Sequence, residues 1–167
     1  MESICAWCHT VLPATDCQCE GLITHGMCQE CADYFRAVLD HPSLQEFLDR
    51  LGVPVLLVDD DVRILLASEM ARKLLGKVKG AFEGHHGGDV IECANARLPG
   101  GCGKTLHCKG CAIRNSVQET YATGESHEKV LAHANVVGTD GPIRTRFLIS
   151  TEKVGQFVLL RIDEVST

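Results

Sequence analysis

Ten cysteines, gathered into two separate groups, constrain the folding of this 167-residue chain more than any other feature. Six lie between Cys5 and Cys31, four lie between Cys93 and Cys111, and the 61 residues between the groups contain none. The N-terminus lacks the basic start and apolar stretch of a signal peptide, so we expect a cytoplasmic protein. Thiols stay reduced in that compartment, where clustered cysteines indicate metal or redox chemistry rather than disulfides. The two groups therefore predict two sites.

Composition and motifs argue against several classes of protein. The net charge of −6 is not accompanied by any basic block, so we expect no direct contact with nucleic acid. No apolar run approaches the roughly 18 residues of a membrane helix, and we expect no membrane association. The segment Gly101–Thr105 resembles part of a phosphate-binding P-loop, but Leu98 occupies a position where that motif requires glycine. No Ser/His/Asp arrangement stands clear of the cysteine groups, so we expect a binding protein rather than an enzyme.

The first cysteine group predicts a zinc-binding module over residues 1–32. Its two C-x-x-C pairs are Cys5 with Cys8 and Cys28 with Cys31. Each pair places two thiolates on one side of a tight turn, and two pairs complete a tetrahedral Zn²⁺ site around which this segment can fold. The sequence does not decide whether Cys17 and Cys19 are free thiols, substitute ligands or members of a larger cluster. The run Cys5–His9 also matches the C-x-x-C-H motif of haem attachment, which occurs outside the cytoplasm and would leave the second pair unexplained.

The second cysteine group predicts a metal centre inside the following domain. It has the spacing C-x8-C-x5-C-x2-C and consists of Cys93, Cys102, Cys108 and Cys111. Neighbouring glycines allow the backbone to wrap closely around an ion, and the last cysteine begins a predicted helix whose dipole favours a thiolate. Four thiolates suit either Zn²⁺ or an iron–sulphur cluster, and both stay open. His107 is a candidate substitute ligand or donor to a ligand, whereas we expect His85-His86 in an exposed loop and Asp59–Asp61 in a turn.

Apolar periodicity divides the remainder of the chain. Residues 33–52 carry apolar side chains at helical spacing, interrupted by Pro42, which predicts a connector of two short helices or one kinked helix. Strands are predicted for residues 54–58, 62–67, 128–137, 143–150 and 156–163. Between the second and third strands, one predicted helix is capped by Ser68 and ended by Gly76, and another spans about residues 111–121. This order predicts an α+β domain over residues 53–167, with a five-stranded antiparallel sheet and helices on one face.

Four segments of this domain resemble the PAS family: Val53–Asp59, Arg63–Ala67, Ala71–Gly76 and Val158–Asp163. The resemblance implies the PAS fold, in which the ligand or cofactor is held in the middle of the domain, where the cysteine-rich loop 93–111 lies. Ser68 stands where many PAS sequences carry Asn, and either residue can cap a helix. PAS sensors that respond to oxygen through an iron–sulphur cluster carry paired C-x-x-C motifs, whereas this loop has only one. The first cysteine group resembles zinc-ribbon-like segments attached to bacterial sensor proteins.

Together with the two cysteine groups and the expected cytoplasmic location, the resemblance implies a sensory or regulatory protein that binds metal through its cysteines and senses redox state or oxygen. A separate protein partner, such as an output or kinase component, would receive the signal. A homodimer through the amphipathic segment Ser43–Leu51 is a further expectation. Two other hypotheses stay open: an electron-transfer component that uses an iron–sulphur cluster at residues 93–111, and a structural interaction protein with two zinc sites.

Overall fold

The computed structural model describes residues 44–167 without interruption, together with residues 3–4, 11–12, 29–31 and 33. Most of the predicted zinc module and the first part of the predicted connector therefore lie outside the described residues. Within the module, strands β1 (Ser3–Ile4) and β2 (Val11–Leu12) pair antiparallel, and residues 29–31 and 33 are helical. None of the helices in the described part of the chain has the length and apolar character needed to cross a bilayer.

A five-stranded antiparallel sheet forms the centre of residues 44–167. Its strands are β3 (Val55–Val58), β4 (Ile64–Ala67), β5 (His127–Gly138), β6 (Gly141–Val154) and β7 (Phe157–Ser166). Their order across the sheet is β4-β3-β7-β6-β5, so the first and last strands of the sheet, in chain order, lie side by side. The predicted five-stranded antiparallel sheet is therefore confirmed, although β6 extends four residues beyond its predicted end.

Four α-helices accompany the sheet within residues 44–167: α1 (Leu44–Arg50), α2 (Glu69–Leu75), α3 (Gly87–Val90) and α4 (Ala112–Thr123). Three 3-10 turns lie in the stretch between α2 and α4, at Lys79–Ala81, Ala94–Arg97 and Leu106–Gly110. The larger core forms where this stretch and α4 cover one face of the sheet. Its fully buried members include Val58 of β3, Phe82, Val117 of α4 and Phe147 of β6.

Helix α1, which belongs to the predicted connector, packs on the opposite face of the sheet from α4. Leu48 is fully buried in a second apolar cluster with Val55 and Leu57 of β3, whereas Leu56 belongs to the larger core. Successive side chains of a strand point to opposite faces, so both faces of β3 are covered. We expected the segment Ser43–Leu51 to support a homodimer; its described helix, α1, packs instead against the sheet of its own chain. The homodimer stays a prediction.

The hydroxyl of Ser68 joins β3, β4 and α2. Ser68 is fully buried, and its Oγ accepts hydrogen bonds from the backbone N–H of Ala71 at 3.1 Å and of Val55 at 3.0 Å. The same hydroxyl donates to the carbonyl of Val53 at 3.0 Å. Ser68 thus caps α2 as predicted, and Gly76 ends the helix in the left-handed conformation, with a φ of 63°.

Candidate functional site

A cavity of about 340 Å³ lies between the sheet and residues 87–114. Apolar side chains that line it include Leu56, Ile113, Phe147 and Leu160. All four cysteines of the second group also line this cavity. Its volume falls within the range of about 300–1,000 Å³ that is common for small-molecule and cofactor sites. The structure therefore brings the four predicted ligands to one site.

Each of the four cysteines is placed by a different local structure. Cys93 donates its backbone N–H to the carbonyl of Gly88 at 2.8 Å and forms an isolated β-bridge with Val136. Cys102 lies in a turn, and Cys108 lies in the 3-10 turn Leu106–Gly110. Cys111 is the N-cap of α4, which confirms that the last cysteine of the group begins a helix. Its thiol therefore lies near the positive end of the helix dipole.

The sulfur of Cys108 lies among hydrogen-bond donors. The Gly103 backbone N–H donates to Sγ at 3.2 Å, and the Thr105 hydroxyl lies 3.1 Å from the same sulfur. Burial raises the pKa of Cys108, but these hydrogen bonds and the positive charge of Arg114 outweigh burial and hold the pKa below its ordinary value. The thiolate, which is the form that binds metal, therefore forms more readily here than at an ordinary cysteine.

Cys102 is in a different electrostatic environment. Burial raises the pKa of its thiol, and a hydrogen bond from the backbone of Gly88 offsets that effect only in part. The sulfur also fills the space beside Gly88, since a Cβ added to that glycine would lie 2.7 Å from the Cys102 Sγ. Glycine at this position therefore allows α3 to approach the cysteine loop closely.

An ionic network for which the sequence carries no local pattern borders the cavity. Arg114 of α4 donates from Nη2 to Oδ1 of Asp61, and from Nη1 to the Asp61 carbonyl at 3.2 Å. The Nε2 of His86 lies 2.9 Å from Oδ2 of Asp61. The hydrogen bonds from Arg114 and then from His86 hold the pKa of Asp61 below its ordinary value. His86 was expected in an exposed loop, but its side chain is only 19% exposed.

Asp59 forms the turn that the sequence predicted between β3 and β4. Its Oδ1 accepts hydrogen bonds from the backbone N–H of Asp61 at 3.0 Å and of Arg63 at 2.8 Å. Aspartate commonly stabilises turns by such bonds to the backbone that follows it. The turn that the local sequence predicts thus positions Asp61 for its long-range contact with Arg114.

Solved structures of PAS and LOV domains are similar to this chain in fold. The Rhodobacter sphaeroides LOV protein aligns with a TM-score of 0.51 at 12% sequence identity, over 76% of this chain and 66% of that protein. This chain has the PAS fold. The PAS domain of nitrogen regulation protein NR(II) from Vibrio parahaemolyticus aligns with a TM-score of 0.44 at 13% identity, over 72% of this chain and 95% of that one. The PAS domain of the Cronobacter turicensis quorum-sensing receptor RpfR, in complex with BDSF, aligns with a TM-score of 0.48 at 14% identity, over 68% of this chain and 94% of that one. No protein-family profile and no curated protein matches the sequence.

The donor chemistry of the cavity fits a thiolate-bound metal, but the four sulfur atoms are not arranged as a coordination shell. Among the residues that the structure describes, no group of three or more His, Cys, Asp or Glu side chains is arranged to hold a metal ion. Zn–S bonds of about 2.3 Å require four sulfurs to converge on one point. Ligation would therefore require the loop between Cys93 and Cys111 to draw its sulfurs together. His107 also lines the cavity, as a substitute ligand would.

The first cysteine group lies almost entirely outside the described residues. Only Cys31 of that group is described, and it is half-buried in the helical residues 29–31. The other five are Cys5, Cys8, Cys17, Cys19 and Cys28. The zinc site ahead of the PAS domain, and the alternative haem motif at Cys5–His9, therefore stay predictions.

Proposed function

We propose that this chain is a non-enzymatic sensory module whose PAS domain binds a metal centre through the four cysteines of the cavity. The centre's redox or metal state is passed to a separate protein partner. The observation that carries the proposal is that Cys93, Cys102, Cys108 and Cys111 line one cavity of the PAS fold. Cysteines that serve packing alone are usually fully buried. Of these four, only Cys108 is buried, with 8% exposure, and the other three are half-buried beside the cavity.

The surroundings of Cys108 support the same proposal. Its sulfur receives the Gly103 N–H and lies within hydrogen-bond distance of the Thr105 hydroxyl. Groups that donate to a ligand atom fix its orientation and tune the bound metal. A buried thiol that only filled space would need neither donor. The local structure of the loop therefore suits a thiolate ligand better than a packing cysteine.

Two metal centres suit this donor set, and they imply different signals. Zn²⁺ has no redox chemistry, so a zinc centre would make the PAS domain a metal sensor or a structural unit. An iron–sulphur cluster would supply a redox change to which oxygen or an oxidant can couple. We favour the redox or oxygen sensor as the functional conclusion, with an electron-transfer component and a structural two-zinc protein as the alternatives that metal analysis separates.

We infer a second, structural zinc site at Cys5, Cys8, Cys28 and Cys31, on the strength of the paired C-x-x-C spacing. We also infer that the partner is a protein of the output or kinase type. A sensory module without chemistry of its own acts by changing an interaction, and the two alternatives do not require such a change. Affinity for a partner that depends on the state of the metal would therefore favour the sensor.

Metal analysis of the protein purified without oxygen tests the proposal. Zinc and iron per chain are quantified, and the visible spectrum is recorded before and after exposure to air. Roughly one zinc per chain with several irons, and a broad visible absorption that bleaches in air, would support a redox or oxygen sensor. A colourless protein with two zinc ions would instead leave a structural metal-binding PAS module. A sharp Soret band would assign haem to Cys5–His9.

Two serine variants assign the metal to its site. Cys108→Ser should remove the centre in the cavity and leave the N-terminal zinc, whereas Cys8→Ser should do the reverse. Thermal unfolding of both variants identifies a loss of metal that follows only from a loss of folding. Unchanged metal content in a folded Cys108→Ser variant, together with unchanged content in Cys93→Ser, would refute the cavity as the metal site.

A further inference from the structure

The cysteine loop is basic in a chain that is acidic overall. No Asp or Glu lies between Cys93 and Gln118, whereas this stretch contains Arg97, Lys104, Lys109 and Arg114. The first three are exposed, but the Arg114 side chain is only 15% exposed and lines the cavity. Of these four basic residues, Arg114 is therefore the one that lines the cavity together with the thiols.

Contacts on two sides hold the guanidinium of Arg114. On one side it lies against the backbone of Gly103, where an added Cβ would be only 2.3 Å from Nη1 and 2.7 Å from Cζ. The N–H of this glycine donates to the sulfur of Cys108. On the other side, both Nη atoms donate to Asp61, to its carboxylate and to its carbonyl. Arg114 thus joins the cysteine loop to the turn between β3 and β4.

The same turn is connected to the segment that carries Cys93. His86 contacts the second carboxylate oxygen of Asp61 and is the N-cap of α3, and Gly87 donates its N–H to the carbonyl of Val62 at 3.0 Å. Val62 has a φ of 60°, which is rare for a β-branched residue and persists only where the surroundings enforce it. Asp61 therefore binds both segments that flank the cavity.

We propose that Arg114 is the positioning residue of the cysteine site, held by Asp61 so that its charge faces the thiols and its contacts tie the loop to the turn between β3 and β4. The metal-dependent part of this inference rests on the proposed function, whereas the positioning does not. Four thiolates around a divalent ion or a cluster leave net negative charge, which a fixed guanidinium offsets. If the charge of the metal centre changes, the attraction of Arg114 to the thiolates changes relative to its attraction to Asp61.

Amide hydrogen exchange on the metal-free, reduced full-length chain tests the positioning. Asp61→Asn removes the charged anchor of Arg114 in a turn that is remote in sequence from the loop. We expect exchange in residues 101–110 to become roughly tenfold faster, because the loop loses a charge-assisted contact. Asp60→Asn is the matched control, since it changes an exposed carboxylate of the same turn and should leave the loop unchanged. Exchange in β5–β7 serves as the internal reference for a folded domain.

Zinc binding, measured by competition with a chromophoric chelator in the absence of oxygen, tests the charge. Arg114→Gln should weaken binding at the cavity roughly 10- to 100-fold, as is usual for a residue that supports a metal ligand. Arg114→Lys, which keeps the charge, should recover part of that loss. Arg97→Gln, which removes an exposed charge from the same loop, should match the wild type.

The outcomes of the two experiments separate this inference from the proposed function. Wild-type exchange in residues 101–110 of the Asp61→Asn variant would overturn the positioning of the loop by Arg114. Wild-type zinc affinity in the Arg114→Gln variant would overturn its role as the counter-charge. If the wild-type protein binds neither zinc nor iron in the cavity, the proposed function fails and the assigned counter-charge falls with it, while the exchange result still decides the positioning.

Discussion

Replacing Gly103 by alanine tests directly whether Arg114 is held against the cysteine loop. Gly103 has a φ of 87°, and its added Cβ would collide with the guanidinium. Gly84 is a matched control, because its φ is 78° and nothing lies within 4 Å of an added Cβ. Both substitutions force alanine into the left-handed region, but only Gly103→Ala must also displace Arg114.

The expected loss of stability follows from these two contributions. A left-handed conformation costs a residue with a Cβ roughly 1–2 kcal/mol, and we expect about this loss for Gly84→Ala. Displacing Arg114 breaks hydrogen bonds to Asp61, and bonds to a charged group contribute about 1.5–3 kcal/mol. The Asp61 side chain is 44% exposed, so solvent screening reduces this contribution to about 1–2 kcal/mol. Gly103→Ala should therefore lower the free energy of unfolding by about 2–4 kcal/mol.

Urea unfolding of the metal-free, reduced protein measures both losses on one scale. The same substitutions in an Arg114→Ala background complete the comparison, since the guanidinium is then absent and the two alanine variants should lose similar amounts. Equal losses in the wild-type background would show that Arg114 does not press on Gly103. The same conclusion would follow if the larger loss of Gly103→Ala persisted without Arg114.

Three further substitutions test other parts of the fold by urea unfolding. Ser68→Ala removes the cap of α2 and leaves the N–H of Val55 without its side-chain acceptor. The free energy of unfolding should therefore fall by about 2–4 kcal/mol, and a fall below about 1 kcal/mol would contradict the assigned bonds. Leu48→Ala should lower it by about 2–5 kcal/mol if α1 is docked on the sheet, whereas a near-neutral effect would mean that it is not. Burial raises the pKa of Glu152 from 4.5 to about 7, so the folded state keeps a proton that the unfolded chain releases. The contribution of Glu152 to the free energy of unfolding is therefore full below pH 4.5 and declines by up to roughly 3 kcal/mol as the pH rises through about 7. Glu152→Gln should remove this decline, and a decline that persists in the variant would contradict the assignment to Glu152.

Most of the sheet could be predicted from the sequence because its strands carry local signals. The run at Val55–Val58 is uniformly apolar and is buried on both faces, whereas the buried Thr145 and Phe147 alternate with the exposed Arg144 and Arg146. The extent of β6 was less predictable. Pro142 lies inside the strand as its second residue, where its missing N–H is tolerated, so the turn is shorter than the sequence suggested.

The grouping of the four cysteines around one cavity could be predicted from the sequence, but the electrostatics around them could not. Four cysteines within one glycine-rich loop already indicate a common site, and the structure places all four on one cavity. The contact between Asp61 and Arg114 spans 53 residues, and the contact between Asp61 and His86 spans 25. Such contacts depend on how the sheet, α3 and α4 pack, for which no local pattern exists. The available signal was the absence of acidic residues between Cys93 and Gln118 alongside four basic ones, since positive surroundings lower the pKa of a thiol.

Strand β3 connects the two faces of the domain physically. Leu56 lines the cavity, whereas Val55 and Leu57 belong to the cluster beneath α1. Because the strand is closely packed on both faces, we expect a displacement of β3 at the cavity to shift its contact with α1 as well. Asp61, which binds Arg114, lies in the turn that follows the end of the same strand. A strand of only four residues thus lines the cavity, leads into the turn that carries Asp61 and packs against α1, so it lies between the cysteine site and the helix that precedes the domain.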